Sequence, residues 1–314
     1  MPSKAKTPAQ ASGSGTNPGR SGSSGAGSSE ARLTVRKTYK LYIGGAFPRS
    51  ESGRSYPVTD AKGALLAHAA QASRKDLRDA VTAARKAFSG WSGATVYNRG
   101  QILYRIAEML EGRRDQFIAE VVASEGISAT KAATQVDAAI DRWVWYAGWA
   151  DKYAQVAGST NPVAGPYFNF SLPEPSGVLG IVAPQDSSLL GFVSVVAPAI
   201  ATGNTVVVLA SAQRPLPAVS LAEALATSDL PGGVINLLTG SVDELAPWLA
   251  GHRDVNCLDL TGVQPAARVA LAEIAADTVK RVYAPARLDL AADPGMSRLA
   301  AFTEIKTVWH PIGV

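Results

Sequence analysis

The chain has one cysteine, Cys257, and three histidines, His68, His252 and His310. A cysteine thiolate is an effective nucleophile, so Cys257 is the first candidate for covalent chemistry. A single cysteine excludes an intrachain disulfide framework and any metal site built from several cysteines. The histidines lie far apart in the sequence, so neither they nor the cysteine predict a metal site.

Glycine-rich loops are the other segments that could bind a ligand, because their backbone amides can contact phosphate closely. They occur at Leu230–Gly233 and at Leu238–Ser241. Neither loop matches the dinucleotide motif G-x-G-x-x-G or a P-loop, and the chain has no G-x-S-x-G or H-E-x-x-H motif. Short motifs alone therefore do not identify an active site.

The second half of the sequence alternates apolar, β-rich runs with helical segments. Strands that start 20 to 30 residues apart are typical of βαβ units in a parallel sheet. The pattern predicts an α/β fold with a Rossmann-like parallel sheet of about five strands, a type that often binds nucleotides. The predicted strands are 178–183, 205–209, 234–238, 255–260 and 279–283, with helices at 188–201, 216–228, 242–251 and 264–276.

The first half of the ordered sequence predicts short strands followed by helices. Ser73 and Asp76 have capping-box spacing, which marks the start of a helix. A longer helix over 128–154 contains three tryptophans. They could stack on a planar ligand, but the apolar residues along the same helix favour packing in the core.

Residues 1–36 predict a disordered tail. The segment is rich in serine, glycine and alanine, and its five basic residues and one acidic residue account for the chain's net charge of +4. A segment with so little apolar surface cannot offset its ordering entropy. A docking or packaging tag is the alternative interpretation. Because the remainder of the chain has no net charge, we expect no nucleic-acid partner.

The longest apolar stretch, 189–201, is shorter than a membrane span and contains Pro198. It therefore predicts a buried helix and no membrane partner. The first 30 residues lack the apolar core of a signal peptide and the arginine-rich pattern of a transit peptide. We expect a cytoplasmic protein.

Six segments resemble the aldehyde dehydrogenase superfamily, and they occur in the order found in that family. Together they span about residues 40–283 and the C-terminal region, which makes the resemblance specific although no single segment would suffice. The segments are Tyr42–Gly45, Asp76–Trp91, Glu174–Pro184, Ala199–Thr205, Leu230–Asn236 with Thr239 and Gly240, and Phe302–Val308.

The resemblance implies an NAD(P)-binding domain, a catalytic domain with a nucleophilic cysteine, and a small oligomerisation sheet. It also implies the domain boundaries of this chain. The expected parts are the tail at 1–36, N-terminal strands and helices of the nucleotide-binding domain at 37–151, an oligomerisation hairpin at 152–172, the parallel α/β domain at 173–285, and a bridge with the C-terminal oligomerisation strand at 286–314.

The catalytic groups of the family are missing from the matching positions. Cys257 aligns with the strand before the family's F-T-G-S turn, not with the catalytic cysteine, and predicts a buried core residue. Asp186 stands where the family has an asparagine that stabilises the oxyanion, and its carboxylate cannot donate a hydrogen bond. We expect it to cap the following helix instead. Pro285 stands where the catalytic glutamate would lie, so we assign no catalytic residue.

The cofactor-binding segments are only partly retained. The family's K-P-S-E segment is Leu209–Ala212 in this chain, which replaces its lysine and glutamate by apolar residues. The resemblance still implies cofactor contacts at five positions, and we expect either no cofactor or weakly bound NAD(P). These positions are Pro184, Ser211, Gly233, Thr261 and Gly262.

After Tyr283 the chain has a short bridge where the family has its catalytic domain. It then resembles the family's final strand, and we expect residues 302–309 to pair with the hairpin. Retained oligomerisation elements without catalytic groups predict a non-catalytic subunit, a pseudoenzyme whose partner is a full-length aldehyde dehydrogenase or a second copy of itself. The alternatives are a residual NAD-binding protein and an oxidoreductase completed by a partner's cysteine.

Overall fold

The computed structural model describes residues 35–286 and 288–313. The predicted disordered tail at 1–36 thus lies almost entirely outside the described residues. The first described elements form a three-stranded sheet of β1 (Thr38–Tyr39), β2 (Ser55–Thr59) and β3 (Leu65–Ala70), in the order β1-β3-β2. The turn between β2 and β3 is closed by the Asp60 carboxylate, which accepts hydrogen bonds from the backbone amides of Lys62 and Ala64.

Five helices follow this small sheet. The capping box predicted at Ser73 and Asp76 is confirmed, since each side chain accepts a hydrogen bond from the other residue's backbone amide. The predicted helix over 128–154 is in fact two helices, α4 and α5. The helices are α1 (Arg74–Gly93), α2 (Val96–Glu111), α3 (Arg114–Glu125), α4 (Ala129–Ala150) and α5 (Tyr153–Ala157).

A β-hairpin leads from the helices into the parallel sheet. Its strands are β4 (Ser159–Asn161) and β5 (Tyr167–Pro175), which pair in antiparallel fashion. The hairpin was predicted at 152–172, but α5 occupies the start of that range and β5 extends three residues beyond its end. Only a turn at residues 151–152 separates α5 from α4, so the helical region extends into the range predicted for the hairpin.

The predicted five-stranded parallel sheet is confirmed. Its strand order is β10-β9-β6-β7-β8, and every neighbouring pair is parallel. All residues of β6 and β7 are buried, as expected for strands covered by helices on both faces. The elements are β6 (Val178–Val182), α6 (Leu190–Ala201), β7 (Thr205–Leu209), α7 (Leu216–Leu225), β8 (Ile235–Leu238), α8 (Val242–Gly251), β9 (Cys257–Asp259), α9 (Pro265–Ala276) and β10 (Arg281–Tyr283).

The final described elements return the chain to the hairpin. A short helix, α10 (Ser297–Ala301), precedes β11 (Thr303–Pro311), which pairs with β5 along its whole length. The resulting sheet has the order β11-β5-β4. This confirms the prediction that residues 302–309 form a strand beside the hairpin.

Helices on both faces of the parallel sheet enclose the core, and residues 36–314 form one compact unit. Trp143 is fully buried, and Trp145 packs partly buried against Trp149. The tryptophans of α4 therefore pack in the core, as the residues around them predicted. No helix in the described part of the chain is both long and apolar enough to span a membrane.

Candidate functional site

In open α/β folds, ligands bind at the carboxyl ends of the parallel strands. In this chain that region, here called the carboxyl edge, consists of the loops that follow β6, β7, β8, β9 and β10. Four of the five predicted cofactor residues lie in it: Pro184, Ser211, Thr261 and Gly262.

Gly233 is the exception among the predicted residues. It precedes β8 and therefore lies at the opposite end of the sheet. Its φ of 94° and its close packing against α1 explain why glycine is present, since a Cβ atom there would lie 2.7 Å from the carbonyl oxygen of Ala83. The structure thus does not bring Gly233 to the other four, because it serves the packing of α1 on the sheet.

The loops after β6 and β7 bind each other. The Ser211 hydroxyl donates to the carbonyl of Gln185 at 2.8 Å and accepts from the backbone amide of Arg214 at 3.1 Å. The Gln185 side chain accepts from the amide of Ala212 at 2.9 Å and donates to the carbonyl of Ala183 at 2.6 Å. The polar groups of both loops are therefore already engaged within the chain.

Asp186 does not cap the following helix, and that expectation was wrong. The helix α6 begins at Leu190, and the Ser187 hydroxyl accepts the hydrogen bond from the amide of Gly191 at 2.9 Å. Glu125 on α3 accepts from both the amide and the hydroxyl of Ser188, each at 2.7 Å. These contacts hold the loop in place and leave the Asp186 side chain exposed.

The loop after β9 packs directly on the end of β6. The amide of Gly262 donates to the carbonyl of Val182 at 2.9 Å. A Cβ atom on Gly262 would lie only 1.9 Å from the carbonyl oxygen of Ala183, so only glycine fits. This glycine is thus required for contact between two loops of the chain itself.

A buried arginine closes the end of β9. Arg298 on α10 donates to the carboxylate of Asp259 at 2.6 Å and to the hydroxyl of Thr261 at 2.8 Å, and its guanidinium lies 5.1 Å from the ring centroid of Tyr283. The exposed fractions of the two charged side chains are 6% for Arg298 and 0% for Asp259. Such a desolvated pair needs both partners in place.

A second arginine joins the loops after β9 and β10. Arg268 on α9 donates to the carbonyl of Val263 at 2.9 Å and to the carbonyl of Pro285 at 2.7 Å. Pro285 therefore contributes a backbone acceptor to this contact. A proline has no side-chain group that could act as a base.

Cys257 lies away from the carboxyl edge. It is the first residue of β9, it is 1% exposed, and burial raises the pKa of its thiol. The predicted burial of this residue is confirmed. A buried thiol whose pKa is raised is a poor nucleophile, because the thiolate is the reactive form.

At the predicted cofactor positions of the carboxyl edge, several polar groups are bound within the chain. Pyrophosphate binding needs free backbone amides or hydroxyls at the strand ends, yet those of Ala212, Ser211, Gly262 and Thr261 donate to or accept from other groups of the chain. Among the residues described, no group of three or more histidine, cysteine or acidic side chains could hold a metal ion.

Comparison with known proteins identifies the family. The profile described as the aldehyde dehydrogenase family matches residues 47–285. The chain belongs to the aldehyde dehydrogenase family.

Two curated relatives illustrate the extent of the similarity. Mitochondrial benzaldehyde dehydrogenase of Antirrhinum majus is 34% identical over 251 residues, which are 77% of this chain and 46% of the relative. The putative aldehyde dehydrogenase DhaS of Bacillus subtilis (strain 168) is 32% identical over 252 residues, which are 79% of this chain and 50% of DhaS. The chain spans about half the length of these relatives.

Solved structures show the same relationship. HpcC from Thermus thermophilus matches with a TM-score of 0.74 and 32% identity, covering 78% of this chain and 47% of HpcC. The NAD+ complex of aldehyde dehydrogenase from Bacillus cereus matches with a TM-score of 0.74 and 25% identity, covering 78% of this chain and 50% of that protein. The α/β fold described above is therefore the fold of this family.

Proposed function

We propose that the chain is a non-catalytic member of the aldehyde dehydrogenase family that acts as a subunit beside a full-length aldehyde dehydrogenase. The observation that carries the proposal is the position of the only cysteine. Cys257 is buried at the amino end of β9, whereas substrates of α/β folds bind at the carboxyl ends of the strands.

The proposal extends to the cofactor. At the carboxyl edge, Gln185 and Arg298 bind the groups that a dinucleotide would need. Displacing Arg298 would leave the buried carboxylate of Asp259 without its cation, which is costly. We therefore infer that NAD(P) binds weakly or does not bind, and titration calorimetry with NAD+ and NADP+ measures this directly.

The sheet of β4, β5 and β11 is the proposed contact with the partner. Both of its faces expose large apolar side chains, and β11 has no neighbouring strand on its outer side among the described residues. An unpaired strand edge beside exposed apolar surface favours association with another chain. The exposed apolar residues are Tyr167, Phe168, Leu172, Ile305 and Trp309.

Co-purification tests the proposed partnership. The tagged chain is isolated from its native host, and the proteins that co-purify with it are identified. Light scattering then measures the molar mass of the complex. We expect a full-length aldehyde dehydrogenase in a complex of fixed stoichiometry, and self-association or poor solubility of the chain when it is purified alone. A monodisperse monomer at micromolar concentration, with no such partner, would contradict the proposal.

A further inference from the structure

A groove lies between the small N-terminal sheet and the helices α3 and α7, and its lining includes none of the predicted cofactor positions. The groove has a volume of about 320 Å³, and we call it the α3–α7 groove. Its walls come from β1, β3, α3 and α7 and include one cation, Lys37, which pairs with Glu223. The other lining residues that matter below are Tyr39, Leu66, Glu120, Ser124 and Leu216. A water molecule takes roughly 30 Å³, so a ligand of on the order of ten heavy atoms would fit.

Two buried oxygen atoms in the walls of this groove have no hydrogen-bond partner among the described residues. They are Oε2 of Glu120 and Oγ of Ser124, and the exposed fraction of Ser124 is 6%. Buried polar groups are usually paired, so two unpaired oxygens in one place indicate a missing donor. Glu120 and Ser124 stand four residues apart on α3 and therefore share one face of that helix.

The Glu120 carboxylate is held in position by neighbouring side chains. Its other oxygen, Oε1, accepts a hydrogen bond from the side-chain amide of Gln116 at 2.8 Å. The oxygen of that same amide accepts from Arg113 at 3.1 Å. Arg113 also donates to Glu223 at 2.9 Å, and Lys37 binds the same carboxylate. Both nearby cations are thus paired with Glu223, and the Oε2 atom of Glu120 has no cation among the described residues.

The charges and hydroxyls of the groove favour a cationic donor. Partial burial opposes ionisation of Glu223, but the hydrogen bonds from Lys37 and Arg113 outweigh it and lower the pKa of this carboxyl. Burial and the neighbouring Glu120 carboxylate raise the pKa of Tyr39, whose hydroxyl therefore stays protonated. The lining of the groove thus combines the acceptors of Glu120 and Ser124 with the apolar side chains of Leu66 and Leu216.

We propose that the α3–α7 groove binds a protonated primary amine with a short alkyl chain. An ammonium group has three donors and no acceptor, which matches the oxygens of Glu120, Ser124 and Tyr39. Its charge would pair with the Glu120 carboxylate in a charge-assisted hydrogen bond, and its alkyl chain would lie against Leu66 and Leu216. An anion would be repelled by Glu120, and a neutral alcohol would leave that carboxylate without a cation.

Titration of the full chain with n-butylammonium chloride tests the site, by calorimetry and by the shift in melting temperature. We expect saturable binding with a Kd on the order of 1 mM. Tetramethylammonium chloride carries the same charge without an N–H donor, and 1-butanol has the alkyl chain without the charge, so neither should bind. Absence of saturable binding by n-butylammonium overturns the proposal. Equal competition by potassium chloride also overturns it, since the groove would then accept any small cation.

Two variants and a matched control locate the binding. Glu120→Gln removes the charge at nearly constant shape and should weaken n-butylammonium binding at least about tenfold. Ser124→Ala removes one acceptor, should weaken binding by a smaller factor of about three, and provides the test if Glu120→Gln unfolds the chain. Glu108→Gln changes an exposed carboxylate on α2 that pairs with Arg105, and it should leave binding unchanged. Unaltered binding in both groove variants overturns the proposal, whatever the outcome for partner association.

Discussion

Two regions of the molecule differ in which groups they expose. They are the carboxyl edge of the parallel sheet and the sheet formed by β4, β5 and β11. At the carboxyl edge, the side chains of Gln185, Ser211 and Arg298 are bound within the chain, and Asp259 is fully buried beside Arg298. On the sheet of β4, β5 and β11, Trp309 is 58% exposed, and the outer side of β11 pairs with no strand among the described residues. The carboxyl edge thus binds these polar groups internally, whereas the sheet of β4, β5 and β11 leaves apolar surface and backbone groups available.

This difference is the basis for proposing the sheet of β4, β5 and β11, and not the carboxyl edge, as the contact with a partner. Binding at the carboxyl edge would have to displace internal hydrogen bonds and a buried ion pair, whereas association at the three-stranded sheet would bury surface that is already exposed. Burial of apolar surface is the main favourable term in association. The comparison therefore predicts that changes at the edge affect folding, while changes on the sheet affect assembly.

The largest effect is expected from Arg298→Ala. The change leaves the Asp259 carboxylate buried without its cation, so the free energy of unfolding should fall by about 3–5 kcal/mol. Denaturant unfolding monitored by circular dichroism measures the loss. Lys306→Ala is the control on the three-stranded sheet, where Lys306 pairs with Glu174 in solvent. It should cost no more than about 1 kcal/mol, and an equal loss in both variants would remove the distinction between the regions.

Gly262→Ala probes the packing of the edge without changing any charge. The added Cβ would meet backbone at 1.9 Å, so the loop after β9 must move, and the free energy of unfolding should fall by about 3 kcal/mol. The matched change Gly295→Ala places a methyl group in open space in the bridge before α10. Thermal unfolding of the two variants gives the comparison. Similar melting temperatures would mean that the loops are loosely packed.

Trp309→Ser tests the three-stranded sheet. Exposed tryptophans are often major contributors at interfaces, so association should weaken at least about tenfold. The stability of the separate chain should change by less than about 0.5 kcal/mol. Trp248→Ser is the control, because Trp248 is also exposed but lies on α8 against Arg74. Sedimentation at several concentrations measures association, and equal weakening by both changes would place the interface elsewhere.

The smallest effect is expected at Cys257. Cys257→Ser introduces a hydroxyl into the core and should cost about 1 kcal/mol of stability, while the specific activity of a complex with a full-length partner should not change. Because burial raises the pKa of the thiol, iodoacetamide should label it slowly in the native chain and rapidly in denaturant. If Cys257→Ser abolished the activity of the complex while folding stayed intact, Cys257 would be part of the catalytic machinery, and the proposal of a non-catalytic subunit would be wrong.

The sequence predicted the parallel sheet well because its signals are local. Each strand from β6 to β9 is an apolar run followed by a helical segment, and the order of these units limits the possible topologies. The pairing of residues 302–309 with the hairpin was predicted differently, from resemblance to a family segment. The capping role expected of Asp186 was wrong, because the Ser187 hydroxyl accepts from the amide of Gly191 and the distant Glu125 binds Ser188.

The contacts that close the carboxyl edge were not predicted. Arg298 and Asp259 are 39 residues apart, and nothing in the sequence around either residue indicates a buried pair. The hydrogen bonds of Gln185 were not predicted either, because they depend on how the loops after β6 and β7 meet. The α3–α7 groove could not be predicted from the sequence either. Its lining comes from β1, β3, α3 and α7, which are distant from one another along the chain.

The pairing of β5 with β11 has a consequence for synthesis on the ribosome. Thr307 pairs with Ser171, a residue translated 136 positions earlier. At the usual elongation rate of about 5–20 residues per second, β5 waits on the order of ten seconds for its partner strand. Throughout that interval the nascent chain presents the whole pairing edge of β5, with Phe168 and Leu172 beside it. Another nascent or finished chain could occupy that edge first, so the order of translation itself influences which assembly forms.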